Sequence, residues 1–141
     1  MNSKRIEKMI PITLRLIENN KYGILNSKGE LPSNYAGYIK SYGPMIRQSG
    51  LFQAVIFNEK GEESEEGRAE RWKINALLLD ILKDTNVNYS SAKDCEKLSE
   101  LIGKISDNLI EKRRLKNLLL EAIVACKFAM MTFPQEKKKE V

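Results

Sequence analysis

The residues of this chain best equipped for chemistry are lysines and arginines set at helical spacing, and the chemistry they offer is electrostatic. Lys4, Lys8 and Arg15 fall within about 40° of one another on a helical wheel, opposite the apolar positions of the same segment. Lys40 and Arg47 form a second group, Lys112, Arg113 and Lys116 a third, and Lys127 stands further along the last segment. Cations in such rows neutralise phosphates without reading sequence. A solvated face that keeps the protein soluble uses the same residues, and charge alone does not separate the two. Tyr35, Tyr38 and Tyr42 lie near Lys40 and offer stacking surface, although core packing accounts for at least two of them.

Other chemistries are thinly represented. There is no histidine, so Ser-His-Asp and Cys-His pairs, imidazole acid/base work and His-ligated metal are excluded. The two cysteines, Cys95 and Cys126, cannot build a four-ligand zinc site and are expected as buried free thiols. Neither Gly-x-x-x-x-Gly-Lys nor Gly-x-Gly-x-x-Gly occurs. Among the carboxylates only Glu121 and Asp80 sit in apolar stretches; both are expected on helix surfaces. The run from Glu59 to Glu70 holds six Glu without calcium-loop spacing and reads as a surface loop over about 59–69. No cofactor, metal or small-molecule substrate is expected.

The elements that must carry these cations are helical. Ile6, Met9, Ile10, Thr13, Leu14 and Ile17 mark a first amphipathic helix, with Pro11 expected to kink or restart it. After a Gly/Asn/Ser-rich loop, Ser33 or Asn34 is positioned to cap a second helix, and Gly43-Pro44 is expected to end it. Pro44 to about Asn58 reads as a core helix, with Gly50 marking a close backbone approach. Further helices are expected from about Glu70 to Lys83, with Trp72 as a core anchor, from Ser90 or Ser91 to about Ile102, and from Ser106 or Asp107 to about Met131.

The last helix has two apolar stripes, one through Leu115, Leu119, Ile123, Cys126 and Met130, the other through Leu120, Val124, Phe128 and Met131. A helix apolar on two sides is central or covers its second side with a partner. With no sustained alternation of period two and no repeat, the fold class is all-α: one compact bundle of five to six helices over 1–133 with a long C-terminal helix, then a charged disordered tail over 134–141. The formal charge of +5 is uneven, with eight basic against three acidic residues in 1–50 and an acidic stretch between the basic ones. No apolar run is long enough to span a membrane, and a soluble cytoplasmic protein is expected.

The run Tyr38-Ile39-Lys40-Ser41-Tyr42-Gly43-Pro44-Met45-Ile46-Arg47-Gln48-Ser49-Gly50-Leu51-Phe52-Gln53-Ala54-Val55-Ile56-Phe57 resembles the small helical subunit of type III-B CRISPR RNA-targeting complexes, the Cmr family. Pro44, Ile46, Gly50, Leu51, Gln53, Ala54 and Phe57 match that pattern in order and spacing, and Leu119-Leu120-Glu121-Ala122 with Lys127-Phe128-Ala129 is similar to its last helix. Where members often carry a tryptophan and two basic residues before Phe-Ala, this chain has Val124, Cys126 and only Lys127. The resemblance implies a non-catalytic component in antiviral defence. Copies would stack along the filament and contact the backbone of the guide RNA–target RNA duplex. The implied partners are the two RNAs, the guide-holding backbone subunits, the large polymerase-like subunit and neighbouring copies. The residues by themselves leave two other readings open, a small helical DNA-binding or regulatory protein with a helix-turn-helix around Lys40 to Arg47, and a protein-only adaptor.

Overall fold

The computed structural model describes residues 1–59 and 70–137. Among them are six α-helices: α1 (Ser3–Asn19), α2 (Ser33–Ser49), α3 (Leu51–Glu59), α4 (Arg71–Lys83), α5 (Leu98–Ile105) and α6 (Leu109–Met131). One 3-10 turn, Ser90–Ala92, lies between α4 and α5. Helices are what the periodic apolar spacing demands, because only burial of those faces stabilises segments this short. The bundle is all-α with the long C-terminal helix expected.

α6 is the axis. Its apolar positions Leu115, Leu119, Ala122, Cys126 and Ala129 are wholly buried, and it packs against α1, α2, α4 and α5. α1 and α6 advance in the same direction: Asn2 and Arg5 lie against Glu121, and Thr13 against Cys126. α4 is the other central element, with Ile74, Leu77, Leu78, Ile81 and Leu82 buried to within the last per cent. Of the second stripe on α6, Leu120 is buried and Val124 half-buried, whereas Phe128 and Met131 are 52% and 73% exposed.

Three helix boundaries differ from the sequence expectation. α1 runs unbroken through Pro11, and α2 runs through Gly43 and Pro44. Both prolines are exposed, as are Glu7 and Lys40, whose carbonyls lose their helical donors. Water satisfies such groups, so a solvent-facing proline bends a helix without ending it. Lys40 and Arg47 are therefore on one continuous helix, and no turn of a helix-turn-helix separates them. The break falls at Gly50, where φ is +99° and the N–H donates to Ile46 O. A side chain there would be strained by φ and would meet the Oε1 of Gln53 at 2.7 Å, so the glycine serves conformation and not the close backbone approach expected.

Caps follow suit. Asn2 accepts from the N–H groups of Lys4 and Arg5, and Asn108, not Ser106 or Asp107, caps α6 by accepting from Glu111 N–H. Pro32 occupies the N-cap of α2 without a side-chain bond, in place of Ser33 or Asn34. The helix expected from Ser90 to Ile102 is split into the 3-10 turn and α5. Trp72 is only half-buried and meets Tyr22 edge-on at 6.2 Å.

The tail expected to be free from Pro134 is pinned at its start. Leu31 N–H donates to Pro134 O at 2.7 Å and Glu136 N–H to Leu31 O at 2.9 Å, an isolated bridge at the end of α6. Residues 60–69 of the acidic run expected as a surface loop, and the tail from 138, lie outside the described residues.

Candidate nucleic-acid interface

The cations singled out above are nearly all at the surface. Lys4, Lys8, Arg15, Lys40, Arg47, Arg113, Lys116 and Lys127 are exposed and Lys112 is half-buried. They do not form one patch; α1, α2 and α6 distribute them.

The densest group is at the start of α6. Positions 112, 113 and 116 share one helical face, and that face lies beside the first turn of α3. Lys112, Arg113 and Lys116 line a cleft of about 250 Å³ with Leu51, Phe52 and Gln53. Its lining contains no carboxylate. Lys112 Nζ sits 5.1 Å from the Phe52 ring centre, which holds the ammonium beside the cleft by cation–π attraction. Leu51, Phe52 and Gln53 are the first three residues of α3, and a helix N-terminus favours anions. Three cations, an aromatic ring and the start of a helix therefore converge on one cleft.

Arg114 belongs to the same basic run but is turned away. Its Nη1 is 3.9 Å from Glu111 Oε1, and its guanidinium lies 5.7 Å from the Tyr89 ring, whose hydroxyl donates to Glu111. Lys127 falls in line with Lys116 three turns further along α6, about 16 Å away at 1.5 Å per residue. There it meets Lys40 of α2 across a second depression. Leu31, Ala36, Ile39, Met130 and Met131 line this groove of about 370 Å³, with Lys40, Lys127 and Gln135 completing it. On α1, Arg15 Nη2 bonds Asp84 Oδ2 at 3.0 Å, so part of its charge is already answered. Lys4 borders Asn117 of α6, which places the first cationic row next to the axis helix.

The tyrosines are not a stacking platform. Tyr35 is buried and donates to Glu70 Oε2 at 2.6 Å, and Lys73 pairs with the same carboxylate. Those partners, Lys73 first and Tyr35 second, hold Glu70 below the usual carboxylate range. Tyr42 is fully buried and donates to Asn75 Oδ1 at 2.6 Å, while Asn75 donates on to Val55 O. Tyr38 packs edge-on against Tyr35 under the guanidinium of Arg71, which also covers Phe57. Core packing accounts for all three.

Glu121 corrects the surface assignment. It is 1% exposed, and its two oxygens accept from Arg5 at 2.7 and 2.8 Å and from Asn2 N–H at 3.1 Å. Burial by itself would raise its pKa; the bidentate Arg5 and the Asn2 amide outweigh it and hold the carboxyl below its ordinary value. This is a structural clasp between α1 and α6. Asp80 is half-buried and accepts from Tyr22 at 2.6 Å. Both cysteines are buried free thiols, and burial pushes Cys126 up to about 12. Among the described residues no group of three or more His, Cys, Asp or Glu gathers as a metal site, and no helix is long and apolar enough to cross a membrane.

Sequence reading missed Arg5, Arg71 and the α3 wall of the cleft. A lone arginine facing a buried glutamate 116 positions away leaves no local signal, and the wall exists only because the chain breaks at Gly50.

Comparison with protein families gives a match to the CRISPR-associated protein (Cas_Cmr5) model over residues 19–136. The match covers α2 to α6, the cleft and the groove, and starts at the last residue of α1, beyond Lys4, Lys8 and Arg15. Curated proteins and solved structures give no match. A family model that takes in five of the six helices, on a chain with the expected all-helical bundle, settles the assignment: this chain belongs to the Cas_Cmr5 family and is a small subunit of the Cmr, type III-B, CRISPR system.

Proposed function

We propose that this subunit is a non-catalytic, cytoplasmic component of the Cmr ribonucleoprotein that grips the backbone of the guide RNA–target RNA duplex. The observation that carries the reading is the α3–α6 cleft, where Lys112, Arg113 and Lys116 converge without a carboxylate among them. Its chemistry is charge and hydrogen-bond donation, suited to holding a phosphate rather than cleaving its ester. Sequence is read by pairing between guide and target, so the protein supplies shape and charge. Lys40, Arg47, Lys127 and the α1 row of Lys4, Lys8 and Arg15 extend the contact. Target cleavage belongs to other subunits, and the partners are the guide-holding backbone subunits, the large polymerase-like subunit and further copies of this chain stacked along the filament.

Filter binding at two salt concentrations tests the reading, with single-stranded RNA, duplex DNA and a paired guide–target RNA as probes. The expected result is weak, steeply salt-dependent and sequence-indifferent binding that strengthens in the assembled complex. Sequence-specific binding of duplex DNA by the isolated chain would sink it.

A further inference from the structure

The cleft between α3 and the start of α6 contains more than its cations. Leu51 and Phe52 are apolar and half-buried, and the space in front of them is open. Lys112 Nζ stands over the Phe52 ring at 5.1 Å and lines the same cleft, so the ring turns a face toward it. Gln53 is exposed and brings a carboxamide, the one side chain of the lining that both donates and accepts. That amide lies close to Gly50, where a Cβ would meet its Oε1 at 2.7 Å, and it has no hydrogen-bond partner among the described residues. Nor do Lys112, Arg113 and Lys116 make an ion pair among them.

A phosphate alone would engage the cations and leave Leu51 and Phe52 wet. A fully paired duplex would do the same, because its bases are stacked and only its phosphates, riboses and groove edges reach a protein surface. The occupant that uses every part of the lining is a nucleotide whose base has left the stack. Unstacked bases pack on aromatic side chains, and the phosphates beside them pair with Lys and Arg. Size agrees. At about 30 Å³ per water, a cleft of about 250 Å³ has room for about eight waters, the bulk of one base and too little for a base pair. Lys112 does not block the ring: an ammonium over a half-exposed ring is held more weakly than a stacked base, and its flexible stem lets the charge move to the incoming phosphate.

We propose that the α3–α6 cleft is a subsite for one unpaired nucleotide of the RNA, with its base on the Phe52 ring beside Leu51, the base edge at Gln53 and the flanking phosphates on Arg113 and Lys116. The proposal rests on the backbone reading above and adds the base to it. Its consequence is a discrimination that charge cannot make: a duplex with one nucleotide out of the stack is preferred over a fully paired one of the same length.

Fluorescence anisotropy of the full chain with three labelled RNA duplexes tests this. One duplex is fully paired, one carries a single unpaired adenosine, and one carries an abasic residue at the same place. The last two share backbone and charge and differ only in the base. The adenosine duplex should bind about tenfold tighter than the abasic one, with the same salt slope. Phe52→Leu keeps an apolar side chain against the core and should bring the adenosine duplex to the level of the abasic one; Phe52→Tyr should retain the preference. Lys116→Ala should lower the salt slope by about one and leave the preference for the base in place. Equal binding of the adenosine and abasic duplexes by the unmodified chain, a result that depends on no variant folding, would overturn the proposal. So would a preference that survives in Phe52→Leu, because the base would then lie elsewhere. Equal binding of all three duplexes with a steep salt dependence removes the base subsite and leaves the backbone reading; loss of salt dependence, or no binding of any duplex, removes both.

Discussion

At the start of α6 three cations crowd a cleft whose other wall is a helix N-terminus, while at its end two cations rim a groove of apolar side chains. Both surfaces are basic, and a charge count cannot tell them apart. What differs is the ground between the charges. A helix start and an aromatic ring beside three cations suit a phosphate, which needs positive charge; Leu31, Ile39 and Met130 suit an apolar group, which needs burial. The two ends of one helix thus differ in chemistry because their flanking elements differ: α3 at one end, α2 and the Leu31 bridge at the other.

The strongest way to break that comparison is to loosen the middle of α6, since both ends depend on it. Arg5→Ala leaves the Glu121 carboxylate buried without its main partner. Complete loss of a buried pair costs about 3–5 kcal/mol; Arg5 is 46% exposed, so about 2–3 kcal/mol is expected. The pH dependence carries a sign. In the native chain the Glu121 pKa is held low, so its contribution is present above the ordinary carboxylate range and lost as pH falls through the lowered value. In Arg5→Ala burial dominates and raises that pKa, so the deficit should be greatest near neutral pH and shrink in acid. Urea denaturation at neutral and acidic pH reads this; an equal deficit at both would remove Glu121 from the account.

Replacing Lys112, Arg113 and Lys116 together by Ala separates the two ends. With about 0.7 counterions released per phosphate on a single strand and 0.9 on a B-form duplex, the slope of log affinity against log salt should fall by about 2–3. Melting temperature should be unchanged. An unaltered slope would place the RNA elsewhere. Gly50→Ala addresses the cleft from its other wall. A positive φ with a tight approach to Gln53 predicts a cost of about 1–3 kcal/mol, and the displaced start of α3 should reduce RNA affinity while leaving the groove intact.

The parts of the molecule legible in the sequence are those set by periodicity. Ile6 to Ile17 fixed one helix face and Leu115 to Met130 another, and the class of fold followed from them. What stayed hidden depended on partners distant in sequence. Glycine and proline at 43 and 44 read as a stop because local rules assume a buried helix; exposure of Pro44 on α2 cancels the penalty, and Gly50 takes the break instead. Glu121 read as a surface residue because nothing nearby could neutralise it, and Arg5 does so from the far end of the chain. The cations of the site were legible one by one, by charge and face. Their grouping was not, because α3 and α2, not α6, decide what lies between them.

The smallest effect expected comes from the α1 row. Lys8→Ala with Arg15→Ala removes two exposed cations, one of which is already bonded to Asp84. An exposed pair of this kind contributes under about 1 kcal/mol, so thermal stability should barely move. RNA affinity should fall, by less than in the α6 triple variant, because Arg15 has part of its charge answered and no helix N-terminus assists. If the double variant weakens binding more than the triple one, α1 and not the cleft is the principal phosphate contact, and the contrast between the two ends of α6 loses its nucleic-acid half.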